Sequence, residues 1–471
     1  MEFLATLAIF AWVPIVILLC EKLPAQRAVI LSFTVAWLFL PQTGYQFPGI
    51  PDLNKTSAAS YGVLIAVFLY YARRFRFREN LLSFQIGWLD LPMLIWCVSP
   101  FVTSIVNGLG WYNGLSAVLT KTLTWGIPYF IGRIFLGNFT GLRQLAMGIF
   151  VGGLIYVPLC LFEVRMSPQL HRMVYGFHQG NFATTIRYGG FRPTVFMQTG
   201  LEVGMWMMAA TLIGFWLWRT GVIKRLWGIP VSWLVAALLI TFVLVKSTGA
   251  YIYLATGIGI FFAVKFFRTA VPVFLLSGLI CSYLFFSAYT GALSSNQVIS
   301  PLANIFNERR IESLEYRFKN ENLLLDKVHE RIIFGWGGWG RSQFVINEGE
   351  RQKVVRDSLW IIAFSTYGTV GLVSVTASLL LPAVRFFGSR YRPASARSRR
   401  ELAPATVLAV ILVLYMVDCL INAMINPVFI LASGGLSGLV LNRKKVAQLR
   451  GDRSSLTTLS PAGEGQYQSN N

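Results

Sequence analysis

The residues able to do chemistry concentrate in two stretches of this chain. The first, 291–357, holds Glu315-Tyr316-Arg317, then Phe334-Gly335-Trp336-Gly337-Gly338-Trp339-Gly340-Arg341, and ends on Arg356-Asp357 just before Ser358-Leu359-Trp360. Its glycines permit positive φ and let backbone approach a ligand closely. Trp336 and Trp339 offer apolar faces on which a sugar ring can stack, and they suit equally a tight turn with interfacial tryptophans. No GK[ST] follows and no βαβ pattern surrounds the glycines, which excludes a Walker or Rossmann loop. Asp357 stands where the stretch meets an apolar run. A carboxylate there can take a proton from a hydroxyl acceptor; alternatively, Asp357 or Ser358 caps the helix that follows. Arg341 and Arg356 flank these features and join the candidate substrate-binding residues.

The second stretch, 165–196, carries Arg172, Arg187 and Arg192, the last in Gly189-Gly190-Phe191-Arg192-Pro193. Guanidinium forks match phosphate oxygens, and they also suit snorkelling to lipid headgroups. Lys246, in Lys246-Ser247-Thr248-Gly249, adds a cation in a short turn between apolar runs. His171 and His178 are too few and too widely spaced for a zinc site. The five cysteines, Cys20, Cys97, Cys160, Cys281 and Cys419, sit inside apolar runs with no CxxC, so they read as small buried hydrophobes. Asp90, Lys121, Glu202 and Asp418 lie within apolar runs, where an ionisable group is costly and a functional candidate by default.

The elements that must position these residues are membrane spans. Of 471 residues, 55% are hydrophobic and only 13% charged, against about 25% charged in a soluble domain; the mean hydropathy is +0.58. That excludes a soluble globular domain, a disordered chain and a disulfide-stapled secreted fold. Apolar runs near the span length of about 20 residues occur at 3–20, 26–41, 57–72, 86–107, 114–136, 144–164, 197–218, 228–246, 249–266, 270–290, 358–384, 403–423 and 427–442. The expected fold is an all-α polytopic membrane helix bundle of 12–13 transmembrane helices, the lower number holding if Asn426-Pro427 merely breaks one last helix. The first run lacks a basic region before it and reads as a retained span. The expected organisation is a transmembrane bundle over 1–290, a large partly helical loop 291–357, C-terminal spans 358–445, and a disordered tail 446–471 rich in Ser, Thr, Gly and Gln.

The net charge of +21 does not indicate nucleic acid, because the basic residues fall in short connections between apolar runs. One alternating set of connections holds 24 of the 41 Lys and Arg, including Arg73 to Arg78, Arg219 to Arg225 and Arg385 to Arg400. The positive-inside rule places that set, with the C-terminus, in the cytoplasm. Loops 165–196 and 291–357 then face outward, with all three histidines, His171, His178 and His329. Within the second, Ile311, Leu314, Phe318, Leu325, Val328 and Ile332 follow the 3–4 spacing of an amphipathic helix.

With the motifs placed, the chain resembles the O-antigen ligase / O-antigen polymerase superfamily of bacterial membrane glycosyltransferases. Phe191-Arg192-Pro193 through Gly200 looks like that family's R-P-x-x-x-F segment, and Ser247-Thr248-Gly249 sits where many members carry Ser-Arg-Gly. Arg317 followed by Gly335-Trp336-Gly337, and Asp357-Ser358-Leu359-Trp360 with Gly368 and Gly371-Leu372, look like its two later motifs. Asp357 stands where ligases carry His, and Thr248 where Arg is usual. The resemblance implies a polysaccharide polymerase joining polyprenyl-diphosphate-linked repeat units into a bacterial surface or exopolysaccharide, the alternative being a ligase acting on lipid-A core. It implies Asp357 as base, with Arg192, Arg317 and either Arg187 or Lys246 on the diphosphate, and Trp336 and Trp339 on sugars. It implies no metal or other cofactor. The implied setting is the bacterial inner membrane, with the site facing the periplasm. The implied partners are a lipid-linked donor, a glycan acceptor, the bilayer, and export or chain-length machinery. A flippase or other transporter is the reading of another class; it predicts inverted repeats and paired broken helices, and the sequence shows no internal repeat.

Overall fold

The computed structural model describes residues 2–71, 84–267, 269–290, 308–338, 340–347, 350–389 and 396–457. They form an all-α bundle: α1 Glu2–Lys22, α2 Ala25–Phe39, α3 Ala58–Tyr71, α4 Leu91–Val106, α5 Trp111–Lys121, α6 Ile127–Phe135, α7 Phe139–Met166, α8 Leu170–Tyr175, α9 Gly200–Arg219, α10 Val231–Leu244, α11 Thr248–Phe266, α12 Val271–Phe285, α13 Glu308–His329, α14 Leu359–Gly388, α15 Ala396–Cys419 and α16 Pro427–Thr457. Among the described residues, seven helices are long and apolar enough to cross a membrane, and five further apolar helices are shorter. A π-helical turn, Thr122–Gly126, joins α5 to α6. This is a multi-pass membrane protein. The only strands among the described residues are short antiparallel hairpins in connections.

Burial sorts the helices into layers. The apolar windows of α9 and α15 are 89% buried, whereas that of α1 is 22% buried and those of α11 and α12 are 33% buried. The first two make the core. The others turn Phe3, Phe266, Leu275 and Leu279 outward, as expected where the solvent is hydrocarbon rather than water. The last two apolar runs are separate helices that pack on each other: α15 ends at Cys419 and α16 starts at Pro427. Helix α16 also continues to Thr457, past the expected start of a disordered tail at 446; Ala447, Gln448, Leu449 and Arg450 are all good helix formers. Residues 458–471 lie outside the described residues.

Two close contacts hold the bundle. At its lower end, α6 and α16 approach through glycine. A Cβ on Gly434 would lie 1.9 Å from the Tyr129 carbonyl oxygen, and one on Gly438 would lie 2.5 Å from the Gly137 Cα. Such small-xxx-small spacing lets backbones meet where no hydrophobic drive exists between helices in lipid. Asp90 sits in this contact. Its carboxylate pairs with Arg133 at 3.3 Å and accepts from Tyr129 Oη and the Gly87 amide, while Tyr129 Oη lies 2.8 Å from the Ser437 hydroxyl. The buried charges are thereby compensated, tying the start of α4 to α6 and α16.

At the upper end, α14 is broken at Gly368, with φ 65° and ψ −158°, a combination open essentially to glycine alone. The break takes backbone groups out of the helical ladder, and the glycine-rich turn supplies their partners. The Ser365 and Thr366 carbonyls accept from the amides of Trp336 and Gly337 at 3.0 and 2.9 Å, while the amides of Thr369 and Val370 donate to the Ile332 and Ile333 carbonyls at 2.8 and 3.3 Å. From α4, Thr103 Oγ1 donates to the Phe334 carbonyl and Asn107 Nδ2 to that of Gly335. Every carbonyl from 332 to 335 is thus satisfied, as backbone buried in a membrane protein requires.

The seam leaves no room for a side chain. A Cβ on Gly335 would lie 2.6 Å from the Gly368 nitrogen, and one on Gly368 would lie 2.3 Å from the Ile333 oxygen. Gly368→Ala is therefore expected to destabilise the protein by ~2 kcal/mol or more, from backbone strain and overpacking together. Gly259→Ala on α11, where nothing lies within 4 Å of the added Cβ, should be neutral or slightly stabilising. Thermal unfolding of both variants in one detergent checks this; equal midpoints would contradict the seam.

Candidate functional site

The upper end carries most of the residues singled out from the sequence, in two groups. The first is built on the connection between α7 and α9. Ile186–Arg187 and Gly190–Phe191 form a small hairpin with its turn at Tyr188 (φ 49°) and Gly189 (φ 66°). Arg187 is exposed on it. Lys246 Nζ donates to the Arg187 carbonyl at 3.2 Å and reaches that of Tyr188 at 3.5 Å, so this ammonium clasps the hairpin backbone. Arg192 is buried, 6% exposed, and its Nη2 donates to Ser247 Oγ at 3.0 Å. Two glycines one turn apart on α9 make space for that contact. A Cβ on Gly200 would lie 2.6 Å from Arg192 Cδ, and one on Gly204 would lie 2.6 Å from Ser247.

Three residues unmarked by motif hold this layer on the bundle. Glu163, at the end of α7, is buried and accepts from the amides of Leu170, Thr194 and Val195 at 3.0, 2.8 and 2.7 Å. Lys55, 4% exposed in the turn before α3, donates to the Phe196 carbonyl at 2.6 Å. Burial lowers the Lys55 pKa, and the field of Glu202 opposes that shift. His171 Nδ1 contacts the Phe177 carbonyl at 2.8 Å, and its Nε2 accepts from the Gln42 amide at 3.2 Å. These partners set a neutral ring protonated on Nδ1.

The second group surrounds the seam. In α13, Leu325 and Val328 are buried and Ile332 half-buried beyond its end, as the amphipathic spacing predicts, and Leu324 is buried with them; the side chains of Ile311, Leu314, Arg317 and Phe318 lie outside the described residues, as does Trp339. Trp336 is engaged within the turn: Nε1 donates to the Lys327 carbonyl at 2.8 Å, and the ring lies 4.8 Å from Lys327 Nζ and 4.6 Å from the Arg331 guanidinium. Arg331 Nη1 donates to Asn107 Oδ1, and Arg341 Nη1 reaches the Asn107 carbonyl at 3.5 Å. Arg356 Nη1 donates to Ser342 Oγ at 2.9 Å and to Thr366 Oγ1 at 3.1 Å, while its Nε and Nη2 lie 3.0 Å from the Gln343 amide oxygen. Burial lowers the Arg356 pKa, opposed by the nearby Tyr367 hydroxyl.

Asp357 is half-buried at the rim, between Arg356 and the start of α14. It is not the helix cap. Ser358 takes the N-cap position, with extended φ/ψ and its carbonyl accepting from the Ile362 amide at 3.2 Å. Ser358 Oγ does not cap either; it donates to Glu321 Oε1 of α13 at 2.7 Å. Between the two groups lie Glu202 and Asp418. Glu202 accepts from the Gln198 amide and its own amide is capped by Thr199, so it serves the start of α9. Asp418 Oδ1 accepts from Asn422 at 2.8 Å and Tyr253 at 3.3 Å, and the Asn422 carbonyl accepts from the Leu359 amide. This chain of contacts connects α11, which follows Ser247, to the first residue of α14. Beside it, α12 and α14 flank an apolar groove of about 530 Å³, walled by Phe274, Leu284, Tyr289, Leu372 and Leu380.

No protein-family model and no curated protein matches the chain.

The His171 geometry has a pH consequence. Burial lowers the ring's pKa, the Phe177 carbonyl opposes, and Lys55 and His178 lower it further. The folded-state pKa lies below the unfolded value of about 6.5, so this contribution to stability is complete above about pH 6.5 and is lost as pH falls through the lowered folded value. Between pH 7.5 and 5.5 the wild-type unfolding midpoint should fall more than that of His171→Gln, which cannot be protonated. Parallel pH slopes would show that His171 does not titrate on unfolding.

Proposed function

We propose that the protein is a membrane glycosyltransferase that polymerises polyprenyl-diphosphate-linked oligosaccharide repeat units. The observation that carries this reading is Asp357, a carboxylate not used as the helix cap. It stands at the rim of a membrane bundle beside Arg356, with Arg331 and Arg341 on the adjoining turn. That arrangement suits a reaction with a hydroxyl nucleophile and an anionic leaving group. The acceptor oxygen bonds to the donor's anomeric carbon as the bond from that carbon to the diphosphate oxygen breaks. Asp357 takes the hydroxyl proton, and polyprenyl diphosphate departs with the electron pair. A diphosphate leaves readily, so the protein's part is orientation, charge neutralisation and proton acceptance.

Arg192 and Arg317 serve the diphosphate in this reading, with Arg187 exposed at the same end. Lys246 positions the hairpin that carries Arg187. The groove between α12 and α14 offers apolar walls to a prenyl chain. By the positive-inside rule the lower end, with Arg219, Arg225 and Arg385, faces the cytoplasm and the site faces the periplasm of a bacterial inner membrane. The resemblance to the O-antigen ligase and polymerase superfamily supports the same reading.

The test is transfer by purified protein from a lipid-linked donor. Asp357→Asn keeps shape and polarity but cannot accept a proton at neutral pH. It should lower turnover by roughly 10²-fold or more with an unchanged unfolding midpoint. Near-normal turnover by that variant would remove Asp357 as base. Products lengthening by repeat units on the lipid carrier identify a polymerase; transfer only to lipid-A core would identify a ligase instead.

A further inference from the structure

The connection between α9 and α10 has no part in the chemistry above, yet its backbone is held in an unusual form. Helix α9 closes on Gly221 (φ 69°). The Gly221 amide donates to the Trp218 carbonyl at 3.0 Å and the Val222 amide to that of Leu217 at 2.9 Å, the paired bonds of a Schellman stop. A hairpin follows, Arg225–Leu226 against Ile229–Pro230, and the Val231 amide closes it on the Lys224 carbonyl at 3.1 Å. Both residues of its two-residue turn have positive φ, Trp227 at 51° and Gly228 at 79°. That is the pattern of a type I′ turn, whose first position favours Asn, Asp or Gly. A bulky residue there is strained, and burial does not offset the strain, because Trp227 is 64% exposed.

The surroundings of the turn fit a membrane boundary. The 20 residues of α9 extend about 30 Å, the thickness of the hydrocarbon layer, so the hairpin begins where that layer ends. Trp218 in the last turn of α9 and Trp233 in the first turn of α10 flank it, 39% and 72% exposed, whereas Trp206 in mid-α9 is fully buried. Exposed indoles at a helix end favour the headgroup region, where the ring meets the hydrocarbon edge and the N–H meets water. The charge here is one-sided. Arg219, Lys224 and Arg225 are exposed, and no Asp or Glu occurs from 203 to 307. A fourth cation comes from α15. A Cβ on Gly221 would lie 3.5 Å from Arg400 Nε and 3.6 Å from its Nη2, so this exposed guanidinium lies against the stop of α9, three residues from Lys224. None of the four forms an ion pair among the described residues; Glu401, which follows Arg400, is the acidic residue next to it in sequence.

We propose that the hairpin 224–230, with Trp218, Trp233 and Arg400 around it, binds anionic phospholipid headgroups at the lower end of the bundle. Trp227 enters the headgroup layer, and Lys224, Arg225 and Arg400 attract the lipid phosphates. The strained turn then has a reason, because Asn or Gly in its first position would leave no ring to insert. A zwitterionic headgroup carries no net charge for the cations to neutralise, so the class selected is lipid of net negative charge. By the positive-inside rule this is the cytoplasmic leaflet. The surface lies at the opposite end from Asp357 and stands independently of the proposed function.

The experiment is native mass spectrometry of delipidated full-length protein with two probes carrying the same acyl chains, phosphatidylglycerol and phosphatidylcholine. Wild type should bind phosphatidylglycerol on the order of tenfold or more tighter, since each basic residue at an anionic surface contributes about fivefold. Lys224→Gln/Arg225→Gln should lose most of that preference, with its unfolding midpoint in lipid-free detergent unchanged. The charge-matched Arg143→Gln/Lys265→Gln, at exposed cations elsewhere on the lower end, should keep it. Trp227→Asn separates the ring from the charges. It puts a favoured residue in the turn, so it should raise the midpoint in detergent while weakening phosphatidylglycerol binding, a pair of opposite changes that a merely structural Trp227 would not give. Equal loss of preference in the two double variants would overturn the proposal, because net charge alone would then account for it. So would undiminished phosphatidylglycerol binding by both Lys224→Gln/Arg225→Gln and Trp227→Asn, which would leave the exposed tryptophans to a protein partner. If the hairpin double variant fails to fold, Arg225→Gln and Arg400→Gln are read singly in the same way, and undiminished binding by both would overturn it.

Discussion

The upper end of this protein depends on a backbone seam. Breaking α14 at Gly368 frees carbonyls and amides inside an apolar bundle, where each unsatisfied group costs several kcal/mol. Residues 332–337 satisfy them by pairing with 365–370, and α4 satisfies what remains. Gly335 and Gly368 meet backbone to backbone, which only residues without Cβ allow. Arg331, Arg341, Arg356 and Asp357 take their places from this crossing.

The seam can exist because the bundle beneath it is held by other means. At the lower end, Gly434 and Gly438 let α16 lie against α6, and the Asp90–Arg133 pair with Tyr129 and Ser437 ties α4 to both. One buried ion pair is thus structural, its charges compensated. Higher in the same bundle, Lys121 lies over the faces of Trp96 and Tyr367, and Arg356 donates to the neutral side chains of Ser342 and Thr366.

The layer over the opposite side of the upper end is fastened by side chains that reach backbone. Glu163 gathers three amides, Lys55 holds the Phe196 carbonyl, and His171 bridges Gln42 and Phe177. These contacts place Arg192 above Ser247, where Gly200 and Gly204 leave space for it. In the proposed function, this layer and the seam each contribute cations to one anionic substrate, connected through Asp418, Asn422 and Leu359.

The sequence by itself determined the spans, because hydrocarbon admits only long apolar stretches with internally paired backbone. It also marked the glycines at 335 and 368, the amphipathic 3–4 spacing that Leu325 and Val328 of α13 follow, and Arg187, Arg192, Arg341 and Arg356 of the two upper groups, since these are properties of residue type and local spacing. Tertiary structure decided the rest. Asp90 and Asp357 are both carboxylates beside apolar runs; Asp90 meets Arg133, and Asp357 stands one residue outside a helix whose cap is Ser358. Glu163 left no trace in the sequence because its partners are amides as far as 32 positions away, and every residue but proline carries an amide. Lys246 and Trp336 read as contacts for a ligand; the fold adds partners no motif announced, a hairpin's carbonyls for one and neighbouring cations for the other. Residue type sets what a side chain can bind; only the approach of distant segments decides what it does bind.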